Sequence, residues 1–108
     1  INAFWHAHLH NRLRVIVLNN KGGGIFRLID GPSALKELDP YFETPHQRSA
    51  ARVAMDFGFD YFTASDTASL EEVLSHFFSG KNRHALLEIN TNPDTDTRVY
   101  KAFIGATQ

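Results

Sequence analysis

The chain has 108 residues, room for one small domain, and no cysteine, which excludes disulfides, thiolate catalysis and cysteine-held zinc. Hydrophobic residues make up 43% and charged residues 21%, the balance of a globular rather than a disordered protein. A formal net charge of −1 with no stripe of Lys and Arg gives no nucleic-acid footprint, and the longest apolar run, residues 15–18, is far too short to span a membrane. No signal peptide is visible, and the expectation is a cytoplasmic protein.

The first residue is Ile1, and residues 1–9 read as a helix already under way with no capping residue before it. The chain is therefore expected to be a piece of something longer. Residues 14–18, Arg-Val-Ile-Val-Leu, read as a buried parallel strand. Three glycines and a helix-forming stretch at residues 25–29 follow it. Residues 30–46 hold three of the four prolines and read as a long connection, with a short helix around residues 33–38. Ala50, Val53, Ala54 and Phe57 make an apolar stripe on a helix over residues 47–57, closed by Gly58. A second strand is expected at residues 61–63. Leu70, Val73, Leu74, Phe77 and Phe78 define a helix over residues 67–79, with Glu71 and Glu72 in its first turn and Gly80 at its end. A third strand is expected at residues 85–90. A last helix begins after Asn92-Pro93-Asp94 and is expected to bury Val99, Phe103 and Ala106. This alternation predicts an α/β fold, a three-layer sandwich around a mostly parallel sheet.

Open parallel sheets bind ligands at the C-terminal ends of their strands. Here the first strand runs into Asn19-Asn20-Lys21-Gly22-Gly23-Gly24-Ile25-Phe26-Arg27. Consecutive glycines let the main chain approach a ligand closely. Backbone N–H groups at a following helix start attract phosphate oxygens. An Asn amide oxygen is a hard ligand suited to Mg²⁺. The plainer reading is a glycine-rich turn in which Asn tolerates the turn geometry. The segment is neither a Walker loop nor the Gly-x-Gly-x-x-Gly fingerprint.

Asn19-Asn20 after an apolar strand resembles the second half of the motif of thiamine-diphosphate enzymes, whose Gly-Asp half stands some thirty residues earlier. The run Asn-Asn-x-Gly-Gly-Gly-Ile-Phe more narrowly resembles the 2-succinyl-5-enolpyruvyl-6-hydroxy-3-cyclohexene-1-carboxylate synthase family of menaquinone biosynthesis. Phe42-Glu43-Thr44-Pro45-His46 and the Ala-rich helix ending Phe57-Gly58-Phe59-Asp60-Tyr61 are similar to that family as well. The resemblance covers essentially the whole chain and implies the C-terminal portion of one thiamine-diphosphate-binding domain, truncated on its N-terminal side. It implies Mg²⁺ on the Asn20 side-chain oxygen and the Gly22 carbonyl. It places the cofactor against Asn20, Gly22, Gly23, Gly24 and Ile25, and an apolar wall of Ile25, Phe26 and Ile29 at the substrate. The implied enzyme is a homodimer or homotetramer that decarboxylates 2-oxoglutarate and adds the succinyl carbanion equivalent to isochorismate. The catalytic Glu of this superfamily lies on another domain, so no catalytic residue is assigned here, and the chain by itself is expected to be inactive. Two alternatives stand beside it: another 2-oxo acid decarboxylase or acetolactate-type synthase with the same cofactor, or a non-catalytic α/β packing module.

Other residues are read as structural. Arg27 is expected to face solvent rather than a substrate carboxylate. His6, His8 and His10 lack a third ligand at a diagnostic spacing. His46 reads as a hydrogen-bonded loop residue, and Asp94 and Asp96 as helix-capping carboxylates. Phe77 and Phe78 read as packing, and Phe4 and Trp5 as facing a neighbour.

Overall fold

The structure is a computed structural model and describes residues 2–6, 13–80 and 83–106. The chain divides into two units: Ile1–Leu18 with Ser49–Asn90, and Asn19–Arg48 with Thr91–Gln108.

The first unit is built on three strands, β1 (Arg14–Asn19), β2 (Asp60–Ala64) and β3 (Ala85–Asn90), in the order β1-β3-β2. β2 and β3 are parallel, with Asp60 opposite Ala85 and Ala64 opposite Ile89. β1 runs the same way: the Ala85 N–H donates to the Leu13 carbonyl and the Thr91 N–H to the Asn19 carbonyl, so both partners advance together. As the central strand, β3 is covered on both faces, which is why Ala85, Leu86 and Leu87 are consecutive apolar residues rather than an alternation.

On one face, Leu86 packs with Ala54 of α1 (Ala51–Asp56) and with Phe59, and Val15, Val17, Tyr61 and Phe4 close around them. On the other, Ala85 and Leu87 pack on Phe77 of α2 (Thr67–Ser79), with Phe62, Leu70, Val73 and Leu74 alongside. This helix, sheet, helix layering is the expected α/β arrangement, and all three expected strands form. The helix expected over residues 47–57 is shorter, Ala51–Asp56. It is closed as expected by Gly58, whose φ of +68° favours glycine. The opening helix is a 3-10 turn at Asn2–Trp5; the remainder of that expected element, with His8 and His10, falls outside the described residues.

The ends of α2 differ from expectation. Asp66 caps it: its carboxylate accepts from the Ser69 N–H at 2.8 Å, and Ser69 returns the bond through its hydroxyl. Glu71 and Glu72 thus stand one turn further in than expected. Gly80 has φ −59°, so no left-handed closure occurs. Arg14 stands at this end instead, donating to Phe77 O at 2.6 Å, to Gly80 O, and to Arg83 O beyond the helix at 2.7 Å.

One buried charge crosses the apolar pattern. Glu88 on β3 is 1% exposed. Its Oε2 accepts from Ser49 Oγ at 2.7 Å, the Ala50 N–H at 2.9 Å and Tyr61 Oη at 2.7 Å. Ala50 has no side chain able to cap α1, so the strand supplies the acceptor.

The second unit contains short elements: a 3-10 turn at Gly24–Arg27, another at Pro32–Ala34, a π-helical turn at Leu38–Glu43, and α3 (Pro93–Ala106). The helix-forming stretch at 25–29 is therefore a single tight turn, and the short helix expected around 33–38 is split in two. α3 starts where expected. Its cap is Asn92, whose side chain accepts from the Asp94 and Thr95 N–H groups at 3.0 and 3.2 Å. Asp94 and Asp96 are not the cap. Val99 and Phe103, expected to be buried, are 59% and 64% exposed, and Ala106 is exposed too. Among the described residues no helix is long and apolar enough to cross a membrane.

Candidate functional site

The two Asn residues at the end of β1, Asn19 and Asn20, fold back on their own backbone. Asn19 Oδ1 accepts from the Lys21 N–H at 3.1 Å, and Asn20 Oδ1 accepts from the Gly22 N–H at 3.2 Å. These overlapping turns force a reversal, and Lys21 takes a left-handed backbone with φ +64°. Asn19 Nδ2 and Lys21 Nζ both donate to Arg48 O, at 3.0 and 3.2 Å.

The glycines are required by what stands against them. A β-carbon on Gly22 would lie 3.1 Å from Glu43 O, and one on Gly23 would lie 3.3 Å from Phe42 O. On Gly24 it would lie 2.7 Å from Asn20 Nδ2. The loop is thus pinned on one side by residues 42–43 and on the other by the Asn20 amide. Two backbone bonds fix it there: Gly23 N–H to Glu43 O and His46 N–H to Lys21 O, both 2.9 Å. His46 is a hydrogen-bonded loop residue as expected, its Nδ1 accepting from the Arg48 N–H at 3.1 Å.

Arg27 does not face solvent. Its guanidinium binds Glu43 through Nε and through Nη2 (2.8 Å to Oε2), Asp94 through Nη1 at 2.6 Å, and Asp39 through Nη2 at 2.9 Å. The Glu43 side chain is 4% exposed and Arg27 20%, whereas Asp39 and Asp94 are mostly solvated. The Glu43 hydrogen bond, helped by the charges of Glu43, Asp94 and Asp39 and opposed by burial, raises the guanidinium above its ordinary value. Arg27 is therefore a permanent cation, with four of its five N–H groups donating to carboxylates of its own unit. Its sequence signal was slight: a lone Arg after Ile25-Phe26, with its partner sixteen residues on in a segment of no periodicity.

Ile25 is 62% exposed and Ile29 44%, so both present apolar surface beside the glycine turn. Phe26 instead stacks edge-on against Phe42, ring centroids 5.1 Å apart. Among the described residues no group of His, Cys, Asp and Glu side chains could hold a metal ion. The oxygens that suit a hard cation in this turn are amide and carbonyl ones. Asn20 Oδ1 spends one lone pair on Gly22 and keeps a second. Asn20 and the bare glycine backbone fit a magnesium diphosphate.

No family model matches the chain. Among curated proteins, it is 45% identical over 102 residues, 94% of its length, to the 2-succinyl-5-enolpyruvyl-6-hydroxy-3-cyclohexene-1-carboxylate synthase of Cytophaga hutchinsonii. The synthase of the same name from Porphyromonas gingivalis is 42% identical over 102 residues, and that from Christiangramia forsetii is 37% identical over 90. The chain is similar to these synthases over most of its own length. It spans 18% of the length of the first two relatives and 16% of the third.

Proposed function

We propose that this chain forms one side of the cofactor site of a thiamine-diphosphate- and Mg²⁺-dependent synthase of menaquinone biosynthesis, working as part of a longer homo-oligomeric protein. The supporting observation is the turn at residues 19–24. There the Asn20 amide oxygen is held by Gly22, and the three glycines leave no side chain above the backbone.

In this reading the Asn20 side-chain oxygen and the Gly22 carbonyl hold Mg²⁺, and Gly23 and Gly24 let the main chain lie against the diphosphate. Thiamine diphosphate, when bound, supplies an electron sink for losing carbon dioxide from a 2-oxo acid and passing on the remaining acyl unit. Ile25 and Ile29 keep water from the reacting centre, and Phe26, braced by Phe42, fixes the wall they belong to. The substrates are 2-oxoglutarate and isochorismate. Arg27 is given no part in binding their carboxylates, because its charge is already met by Glu43, Asp39 and Asp94.

The test is turnover by the full-length protein that carries this sequence, supplied with Mg²⁺ and thiamine diphosphate. Consumption of 2-oxoglutarate in the presence of isochorismate is expected. Consumption of pyruvate with 2-oxoglutarate ignored would move the protein to an acetolactate-type reaction. No turnover and no cofactor binding would leave it a packing module.

A further inference from the structure

Glu43 meets the glycine turn twice, through different atoms. Its carbonyl accepts the Gly23 N–H at 2.9 Å and stands where a β-carbon on Gly22 would crowd it. Its carboxylate is buried and gripped in a fork by Arg27. Arg27 in turn ends the 3-10 turn that begins at Gly24, immediately after the glycines. The connections therefore close a ring: from Gly23 along the backbone to Arg27, across the ion pair to the Glu43 side chain, and from the Glu43 carbonyl back to Gly23. Thr44 follows in a left-handed conformation, φ +47°, and the His46 N–H then makes the second backbone bond to Lys21.

A ring of this kind restricts the turn in a way that neither bond does alone. The Gly23 amide bond by itself is an ordinary exposed-loop bond that opens readily. With the Glu43 side chain anchored, its carbonyl cannot swing away without breaking a charge-assisted fork. The two remaining carboxylates, Asp39 and Asp94, are mostly solvated and bind Arg27 from its outer side.

We infer that Arg27 and Glu43 are a positioning pair for the glycine turn, setting where the Asn20 amide and the Gly22 carbonyl stand and hence how tightly Mg²⁺ is held. This rests on the cofactor reading above. Neither residue touches the metal; each acts through the backbone of residues 22 and 23, as outer partners of metal ligands generally do.

The test uses the full-length protein, with Arg27→Lys and Glu43→Gln as the probing variants and Asp39→Asn and Asp94→Asn as controls on the same cation. Two quantities are read: the Mg²⁺ concentration that half-saturates thiamine-diphosphate binding, by calorimetry without substrate, and amide hydrogen exchange over residues 20–26 without metal. The probing variants are expected to raise the Mg²⁺ half-saturation on the order of tenfold and to speed exchange in that segment. kcat at saturating Mg²⁺ should stay within about twofold of wild type, since the same ligands are present once the metal is bound. The controls should leave both readings unchanged. Unchanged half-saturation in both probing variants overturns the pair's role while leaving the cofactor site standing. Equal shifts in the controls also overturn it, because a diffuse charge effect would then suffice. If wild-type protein binds no cofactor at all, the functional reading falls, and this inference with it.

Discussion

The side-chain amide of Asn20 occupies the space that a β-carbon on residue 24 would need, Nδ2 lying 2.7 Å from that position. The group in the way is the end of a movable side chain, not backbone. Gly24→Ala should therefore leave stability within about 1 kcal/mol of wild type, because Asn20 can rotate aside. It should cost Mg²⁺-dependent cofactor binding on the order of tenfold or more, since rotation takes the amide oxygen from its place. Thermal unfolding and metal titration of one preparation separate the two effects.

Gly22→Ala should behave differently. Its β-carbon would press on the Glu43 carbonyl, which is backbone and already bonded to Gly23. The variant should lose roughly 1–2 kcal/mol in urea unfolding, a typical overpacking cost.

Removing the partner of a buried carboxylate costs more than removing a solvated one. Arg27→Met leaves Glu43 buried without its cation, and a loss of roughly 2 kcal/mol is expected. Asp39→Asn and Asp94→Asn should each change stability by less than about 1 kcal/mol, and that small change should shrink further in salt. A urea series at low and high salt checks both.

Glu88 gathers three donors on one oxygen beneath α1. Glu88→Gln keeps the shape but weakens three charge-assisted bonds and presents an NH₂ to groups that donate. A loss of roughly 1.5–3 kcal/mol is expected by urea unfolding, with faster amide exchange at the start of α1.

The Ser69 backbone N–H, chiefly, holds the Asp66 carboxyl below its ordinary value. A depressed folded-state pKa means stability that is complete above the unfolded value and lost as pH falls through the folded one. The acid limb of the wild-type stability curve below about pH 4 should therefore be steeper than that of Asp66→Asn. Identical acid limbs in thermal melts would remove Asp66 as the source.

The layers of the first unit were legible because the signals are local. Residues 15–18 and 85–87 are apolar runs at the heart of two strands, and residues 70–78 repeat at helical spacing. The glycine turn was legible for the same reason, since it follows a strand. What escaped lacked a standard local signature or was set by distant partners. Asp66 and Ser69 form a capping box without the usual Glu or Gln, and Arg14 meets the end of α2 from sixty-three residues away. The Arg27–Glu43 pair joins two non-periodic segments broken by Pro32 and Pro40, where no spacing rule operates. α3 has an amphipathic pattern, yet Val99 and Phe103 remain exposed, so periodicity identified the helix but not its covering.

The Asn20 amide oxygen as a magnesium ligand is the central claim, and calorimetric titration of thiamine diphosphate into the full-length protein tests it most directly. Run with and without Mg²⁺, wild-type protein should bind the cofactor only with the metal. Asn20→Ala should weaken that binding on the order of a hundredfold with its melting temperature little changed. Equal metal-dependent affinity in wild type and Asn20→Ala would contradict it.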